Sequence, residues 1–158
     1  MAKEDNKDFN KMLNNSKDMP KFQTVTDAST IKKYGGDKMY FAPPLAYDKV
    51  MRRVPFRKLI TVTDIREYFA KLNGADFTEP ITAGIFVSIV AWASHQRSDD
   101  KTPYWRTLKA GGELNPKYPG GIEKQKELLE KEGHLIIQKG KTNIKYYVQD
   151  YIESAYSL

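Results

Sequence analysis

PYWRTLKAGGELNPKYPGG, residues 103–121, is the stretch on which the fold turns. It sets two rings and a guanidinium side by side at Tyr104, Trp105 and Arg106. It turns at Gly111-Gly112 and closes on Tyr118-Pro119-Gly120-Gly121. Gly and Pro at this density punctuate a loop, not a helix or a strand. Rings and a cation gathered on such a loop are the composition of a site.

Working outward, the run after Gly121, IEKQKELLEKEG, is amphipathic, with Ile122, Leu128 and Leu129 on its apolar side and Gly133 as its stop. HLIIQKGKTNIKYYVQDY then reads as a hairpin with strands at Leu135–Gln138 and Ile144–Val148 and a turn at Gly140–Asn143. Upstream, Thr78-Glu79-Pro80 opens a helix running through ITAGIFVSIVAWASHQR, with Thr78 as its N-cap. Ile81, Ile85, Ile89 and Trp92 fall on one face and are expected in the core. The small residues Thr82, Ala83, Gly84 and Ser88 mark the face open to close approach. Before it, DIREYFAKLNG reads as a helix with Thr63 as N-cap, Asp64 at its positive end and Asn73-Gly74 as its stop. LAYDKVMRRV has helical spacing at positions 47, 50, 51 and 54, and Pro55 ends it.

The N-terminal third differs in kind. Residues 1–20 are polar and are expected to form a mobile tail with a helical turn around Phe9, Met12 and Leu13. Residues 21–44 read as an arm packed on the domain. It holds a β-like run at Phe22–Val25, a turn at Gly35-Gly36-Asp37, a stop at Pro43-Pro44 and ring anchors at Tyr34, Tyr40 and Phe41. The domain proper is then 45–158, including the hairpin at 135–148. The expected fold class is mainly α with a small β-hairpin. Helices at about 45–54, 63–73 and 80–97 followed by a hairpin have the order of a helix-turn-helix with a wing.

Totals narrow the chemistry. The chain has 158 residues, 40% apolar, which suits one core. The absence of cysteine removes disulfides, thiolate metal sites and a thiol nucleophile, and fits a cytoplasmic protein. Two histidines far apart in sequence, His95 and His134, make no metal motif, and no cofactor motif occurs. No apolar run is long enough to cross a membrane, and the first residues lack the apolar segment of a secretory signal. The net charge of +6 is concentrated: residues 45–110 hold 11 Lys and Arg against 7 acids, whereas residues 111–158 hold 7 of each. Excess positive charge in the middle favours phosphate partners, although the same total also describes a soluble basic protein.

The quoted stretch and the helix after it resemble the active-site region of the alkylguanine-DNA alkyltransferases and their alkyltransferase-like relatives. The family pattern is Pro-Cys-His-Arg, a Gly turn, Tyr, Gly-Gly, then a Lys-containing helix with Leu-Leu that ends on Glu-Gly. Pro103 and Arg106 match the first and fourth positions. Gly111 or Gly112, Tyr118, Gly120 and Gly121 match the turns, and Leu128, Leu129, Glu132 and Gly133 match the helix end. VMRRVPFRKLITVTDIREYF is similar to the family's first DNA-facing segment, so the resemblance covers roughly residues 45–134.

The resemblance implies a winged helix-turn-helix-like domain of the alkyltransferase C-terminal type and double-stranded DNA as partner. Thr61 and Thr63, with helix-end amides, would take phosphate, and Arg57, Lys58, Arg66 and Lys109 would add charge. Thr82, Ala83 and Gly84 would let the helix at 80–97 sit close in a minor groove. Tyr104, Trp105, Arg106, Tyr118, Gly120 and Gly121 would form a base pocket.

The departures from the pattern remove its chemistry. Tyr104 stands in the place of the alkyl-accepting Cys, and a phenol with a pKa of about 10 is protonated at neutral pH. Trp105 stands in the place of the His, and indole only donates. Glu132, the match to the acid that orients that His, has no His to orient. No residue is therefore assigned a catalytic role. The alkyltransferase-like relatives also lack the Cys and bind alkylated DNA without repairing it. The expected function is DNA binding of that kind, with sensing of an alkylated guanine.

Two states of the pocket stay open here: the rings line it, or they fill and close it. The family's rotating Tyr aligns with Val62, and no Arg occurs at Thr82–Ile85, where the family's finger falls. The alternative is a protein-interaction module with a closed pocket and no DNA binding, using residues 21–44 or the hairpin with Tyr146, Tyr147, Tyr151 and Tyr156. A base-reading transcription regulator ranks last, because the helix at 80–97 offers few polar groups before His95.

Overall fold

The structure, a computed structural model, describes residues 6–158. The chain runs α1 (Phe9–Leu13), β1 (Lys21–Thr24), α2 (Ala28–Tyr34), β2 (Lys38–Phe41) and α3 (Pro44–Met51). It continues with β3 (Ile60–Thr61), α4 (Val62–Leu72), β4 (Phe77–Thr78) and α5 (Pro80–Gln96). Then come β5 (Thr107–Leu108), α6 (Gly121–Lys131), β6 (Ile136–Lys139) and β7 (Lys145–Val148). Among the described residues the fold is mainly helical with three small sheets.

Helix α5 is the centre of the core. Its residues from Phe86 to Ser94 are all buried except Ser88. Tyr47, Val50 and Met51 of α3 and Ile65 and Phe69 of α4 pack in the same cluster. A smaller cluster of Leu59, Leu108, Leu114, Leu129 and Val148 joins α6 to the hairpin, and Trp105 touches both clusters.

The N-terminal stretch departs from the mobile tail expected of residues 1–20. Residues 1–5 of that tail lie outside the described residues, but α1 is docked, not free. Phe9 and Leu13 are 4% and 3% exposed, and the Phe9 ring stacks on Trp92 at 5.6 Å. Polar groups fix the seat: Asn10 Nδ2 donates to the Ala93 carbonyl at 3.0 Å, and Arg97 donates to Asn10 Oδ1 at 2.9 Å. Two apolar residues one turn apart suffice to hold such a helix, since each buried side chain of this size contributes about 2 kcal/mol. A sequence this polar hides that pair.

The arm at 21–44 is a strand–helix–strand unit. β1 pairs antiparallel with β2, and β2 pairs parallel with β4, which lies in the connection between α4 and α5. Tyr34 of α2 stacks on Phe77 of β4 at 4.2 Å and Tyr40 is buried, while Phe41 is half-buried. The stop expected at Pro43-Pro44 gives way to a start: Pro44 occupies the first turn of α3, where its missing N–H is not needed.

The expected caps shift as well. Thr61, not Thr63, caps α4: its hydroxyl accepts from the Asp64 amide at 3.1 Å while the Asp64 carboxylate accepts from the Thr61 amide at 2.9 Å. Glu79, not Thr78, caps α5, because Thr78 is held in β4 and its hydroxyl donates to the Arg66 carbonyl at 2.7 Å.

Candidate functional site

The 103–121 segment is set down by contacts at both ends. Thr102 is fully buried and donates through its hydroxyl to Asp48 at 2.6 Å, while its amide donates to the Ser94 hydroxyl at 2.8 Å. Residues Tyr104–Arg106 then make a single 3-10 turn, and β5 pairs parallel with β3. Gly120 and Gly121 carry φ of +77° and +65°, and these two left-handed residues turn the chain into α6. A side chain at Gly120 would meet Lys124 at 2.5 Å from its Cβ.

The rings form an interior cluster. Tyr104 is 6% exposed and packs edge-on against Trp105 at 5.4 Å and Tyr118 at 5.2 Å. Tyr118 is completely buried, and its hydroxyl donates to the Thr107 carbonyl at 2.9 Å. Burial pushes the phenols of Tyr104 and Tyr118 further above their ordinary value.

Glu132 collects donors from three residues, Trp105, Arg106 and Arg57. Trp105 Nε1 donates to one of its carboxylate oxygens at 2.6 Å, and Arg106 approaches at 3.0 Å through both Nε and Nη2. The Arg57 backbone amide adds a bond at 2.8 Å, and Arg106 also donates to the Val54 carbonyl at 2.9 Å. Burial alone would raise the Glu132 pKa, but the bonds from Arg106, Trp105 and Arg57 outweigh it and hold the carboxyl below its ordinary value.

An open cleft of about 530 Å³ lies elsewhere, between the first turns of α4 and α5 and the 109–117 loop. Three cations, Arg66, Lys109 and Lys117, are among its lining residues, and no carboxylate is. Arg66 donates to the Thr78 carbonyl at 3.2 Å, and Lys109 has only a long 3.8 Å approach to Glu113. The rest of the lining is largely apolar: Val62, Pro80, Ile81, Ile85, Val87 and Pro116. A smaller cavity of about 260 Å³ between α2 and α4 shares Thr63 and Arg66 with the cleft, but Glu67 and Asp76 also line it.

The structure divides the residues expected at a site. Thr63, Arg66, Gly84 and Lys109 come together along the cleft. None of Tyr104, Trp105, Arg106, Tyr118, Gly120 and Gly121 lines it: of the two states left open, the rings pack into an interior cluster, while Gly120 is exposed at the turn into α6 and Gly121 is half-buried there. Thr61 is 4% exposed with its hydroxyl engaged in the cap, and Ala83 is fully buried, so neither is free for a backbone or groove contact. The helix ends are not free anion sites either. Asp64 occupies one, and Glu79 accepts from the Ile81 and Thr82 amides at 2.8 and 2.6 Å at the other. Thr82 is half-buried beside the cleft without lining it. Arg57 and Lys58 are exposed on the connection between α3 and β3, away from the cleft lining; the Arg57 guanidinium lies near Gly133.

Several cleft residues escaped the sequence, Lys117, Ile81 and Ile85 among them. Lys117 sits inside the quoted stretch, but its charge is hidden among turn residues. Ile81 and Ile85 fall on an apolar stripe expected in the core, yet they are 72% and 51% exposed while Ile89 and Trp92 are buried. Because α5 is apolar nearly all round, its periodicity does not tell which end leaves the core.

No helix among the described residues is long and apolar enough to cross a membrane, and no group of three metal-ligating side chains occurs among them. No family model matches the chain, and no curated protein matches it. Among solved structures, S. pombe Atl1 in complex with damaged DNA containing O6-carboxymethylguanine is similar at a TM-score of 0.51 and 17% identity, covering 73% of this chain and 94% of that one. S. pombe ATL in complex with DNA is similar at a TM-score of 0.53 and 19% identity, with the same coverage. At these identities the likeness establishes a shared fold.

Proposed function

We propose that this chain is a non-enzymatic, alkyltransferase-like protein that binds double-stranded DNA at the cleft beside α4 and α5. The observation that carries the reading is the charge of that cleft: Arg66, Lys109 and Lys117 face it, and no carboxylate lines it. Three cations on a concave surface suit the phosphates of a duplex and give salt-sensitive binding through counterion release. The two S. pombe structures of this fold hold DNA, one of them with an altered guanine, which supports the same partner here.

The damage-sensing form follows from the cleft's size and walls. About 530 Å³ bounded by Val62, Ala110 and Pro116 suits an extruded nucleobase, with apolar surface for its faces. The ring cluster of Tyr104, Trp105 and Tyr118 then supports the loop that forms one wall. The winged helix-turn-helix reading assigns α4 and α5 to the DNA and the β6–β7 hairpin to the wing. Alkyl transfer has no nucleophile in this arrangement. Burial keeps Tyr104 protonated, and its neighbour Trp105 can only donate, and does so to Glu132.

The reading of a protein-interaction module gains little from the rings proposed for it. Tyr146 and Tyr151 pack against the smaller core cluster, Tyr156 packs against the larger one, and Tyr34 and Tyr40 anchor the arm. A fluorescence-anisotropy titration tests the choice, comparing a plain duplex with one carrying a single O6-alkylguanine at two salt concentrations. The expected result is salt-sensitive binding, tighter to the altered duplex, with no mass gain by the protein. Equal binding to both duplexes removes the sensor, and no binding at low salt removes DNA as the partner.

A further inference from the structure

We propose that the N-terminal arm adds a phosphate clamp to the cleft, made by Lys33 of α2 and Arg66 of α4 where both meet the Tyr34 ring. The proposal rests on the DNA-binding reading and extends the duplex contact onto a part of the chain outside the stretch that carries the resemblance. The Lys33 ammonium lies 5.3 Å and the Arg66 guanidinium 5.7 Å from the centre of that ring. Both residues line the cavity of about 260 Å³ between α2 and α4. That cavity shares Thr63 and Arg66 with the cleft, so the basic surface runs on from Lys109 and Lys117 through Arg66 to Lys33.

Neither cation of the clamp is neutralised by an acid. Lys33 is exposed and, like Arg66, forms no ion pair among the described residues. Arg66 uses only Nε, on the Thr78 carbonyl, which leaves its terminal nitrogens for another acceptor. Two like charges held at one ring repel each other, and an anion set between them relieves that repulsion. A phosphate accepts from a guanidinium fork and an ammonium together.

The ring that gathers the cations is fixed. Tyr34 stacks on Phe77 of β4 at 4.2 Å, and β4 pairs with β2 of the arm. Asp76, which also lines the cavity, is turned to the arm's own backbone: its carboxylate accepts from the Lys38 amide at 2.9 Å, and a Cβ at Gly36 would collide with it. Glu67 is exposed and stands next to Arg66 on α4. Its charge opposes the same phosphate, so it weakens the clamp and supplies a second test of it.

Charge and spacing identify the occupant as the duplex proposed for the cleft. Each strand carries a phosphate about every 3.4 Å of helix axis, so a duplex seated on Arg66, Lys109 and Lys117 brings further phosphates past them to the arm. Contacts of this kind hold the register and read no base.

The test uses the full chain, fluorescence anisotropy over a salt series, and two duplexes, one that just fills the cleft and one a helical turn longer at each end. On the longer duplex Lys33→Gln is expected to bind about fivefold more weakly with a salt slope lower by about one, at an unchanged thermal midpoint. Lys33→Arg is expected to restore both, and Glu67→Gln to tighten binding about threefold. On the shorter duplex Lys33→Gln and wild type should coincide. A wild-type slope kept by Lys33→Gln on the longer duplex overturns the clamp and leaves DNA binding intact. An equal loss from Lys32→Gln, which alters the same helical turn but does not line the cavity, overturns it too, since the effect is then one of net charge. Wild type that binds neither duplex at low salt overturns the DNA reading itself, and the clamp with it.

Discussion

The segment from Pro103 to Gly121 contributes to two regions that use similar residues to opposite ends. In the interior cluster, a cation, an indole N–H and a phenol each have a partner: Arg106 and Trp105 on Glu132, Tyr118 on the Thr107 carbonyl. In the cleft, Lys109 and Lys117 face solvent beside exposed Ile81 and Ile85. Polar groups satisfied inside the protein hold it together, whereas loosely held cations, such as Lys109 at 3.8 Å from Glu113, and exposed apolar side chains are what a partner can use. The motif residues Tyr118 and Glu132 that carry the resemblance are thus packed inside, and the surface proposed for binding lies on their neighbours.

The strongest way to break this contrast is to remove Glu132. Glu132→Ala leaves Arg106 buried without its counter-charge and is expected to cost about 3–5 kcal/mol in urea unfolding. A loss below about 1 kcal/mol would show that the cluster is not the anchor described. Next in size, Tyr118→Phe removes one buried hydroxyl bond and is expected to cost about 1.5 kcal/mol in the same assay. DNA affinity per folded molecule should be unchanged in both variants.

The cleft should respond in the reverse manner. Lys109→Gln with Lys117→Gln is expected to weaken duplex binding about tenfold and lower the salt slope by about two, with stability within about 0.5 kcal/mol of wild type. A stability loss with unchanged binding would exchange the roles of the two regions.

The smallest expected effect is a pH dependence. Glu132 has its folded pKa held below the ordinary 4.5, so it stabilises the fold above that pH and this contribution is lost as pH falls through the folded value. Burial, opposed in part by Glu132, keeps the His134 pKa below its ordinary 6.5, so His134 favours the fold in its neutral form. Its destabilising effect begins as pH falls below 6.5, where the unfolded chain takes up the proton first. Chemical denaturation across pH 3 to 8 should therefore show a two-step decline. Glu132→Gln should flatten the lower step and His134→Gln the upper one.

Much of the fold was legible in the residues. Helical spacing located α3, α4, α5 and α6, Gly133 marked the end of α6, and two short apolar runs around the Gly140–Asn143 turn located the hairpin. What escaped were features that need a distant partner. Phe9 and Leu13 look too sparse for a docked helix until Trp92 is placed beneath them. The parallel pairings β2–β4 and β3–β5 are each two residues long and leave no periodic trace. Thr63 is a good cap by type, but Thr61 is the residue that β3 sets at the helix start.

By itself the sequence determined the order of α3, α4, α5, α6 and the hairpin, the absence of any cysteine, and the surplus of cations in the middle of the chain, because residue type and spacing fix these. Tertiary structure decided that Tyr104 and Tyr118 turn inward while Ile81 and Ile85 turn outward, and that Trp105 and Arg106 share one carboxylate. An aromatic or aliphatic side chain has the same period on either face of an all-apolar helix or loop. Only the packing of α5 against α1, α3 and α4 settles which face has room, and so where the protein is closed and where it is open.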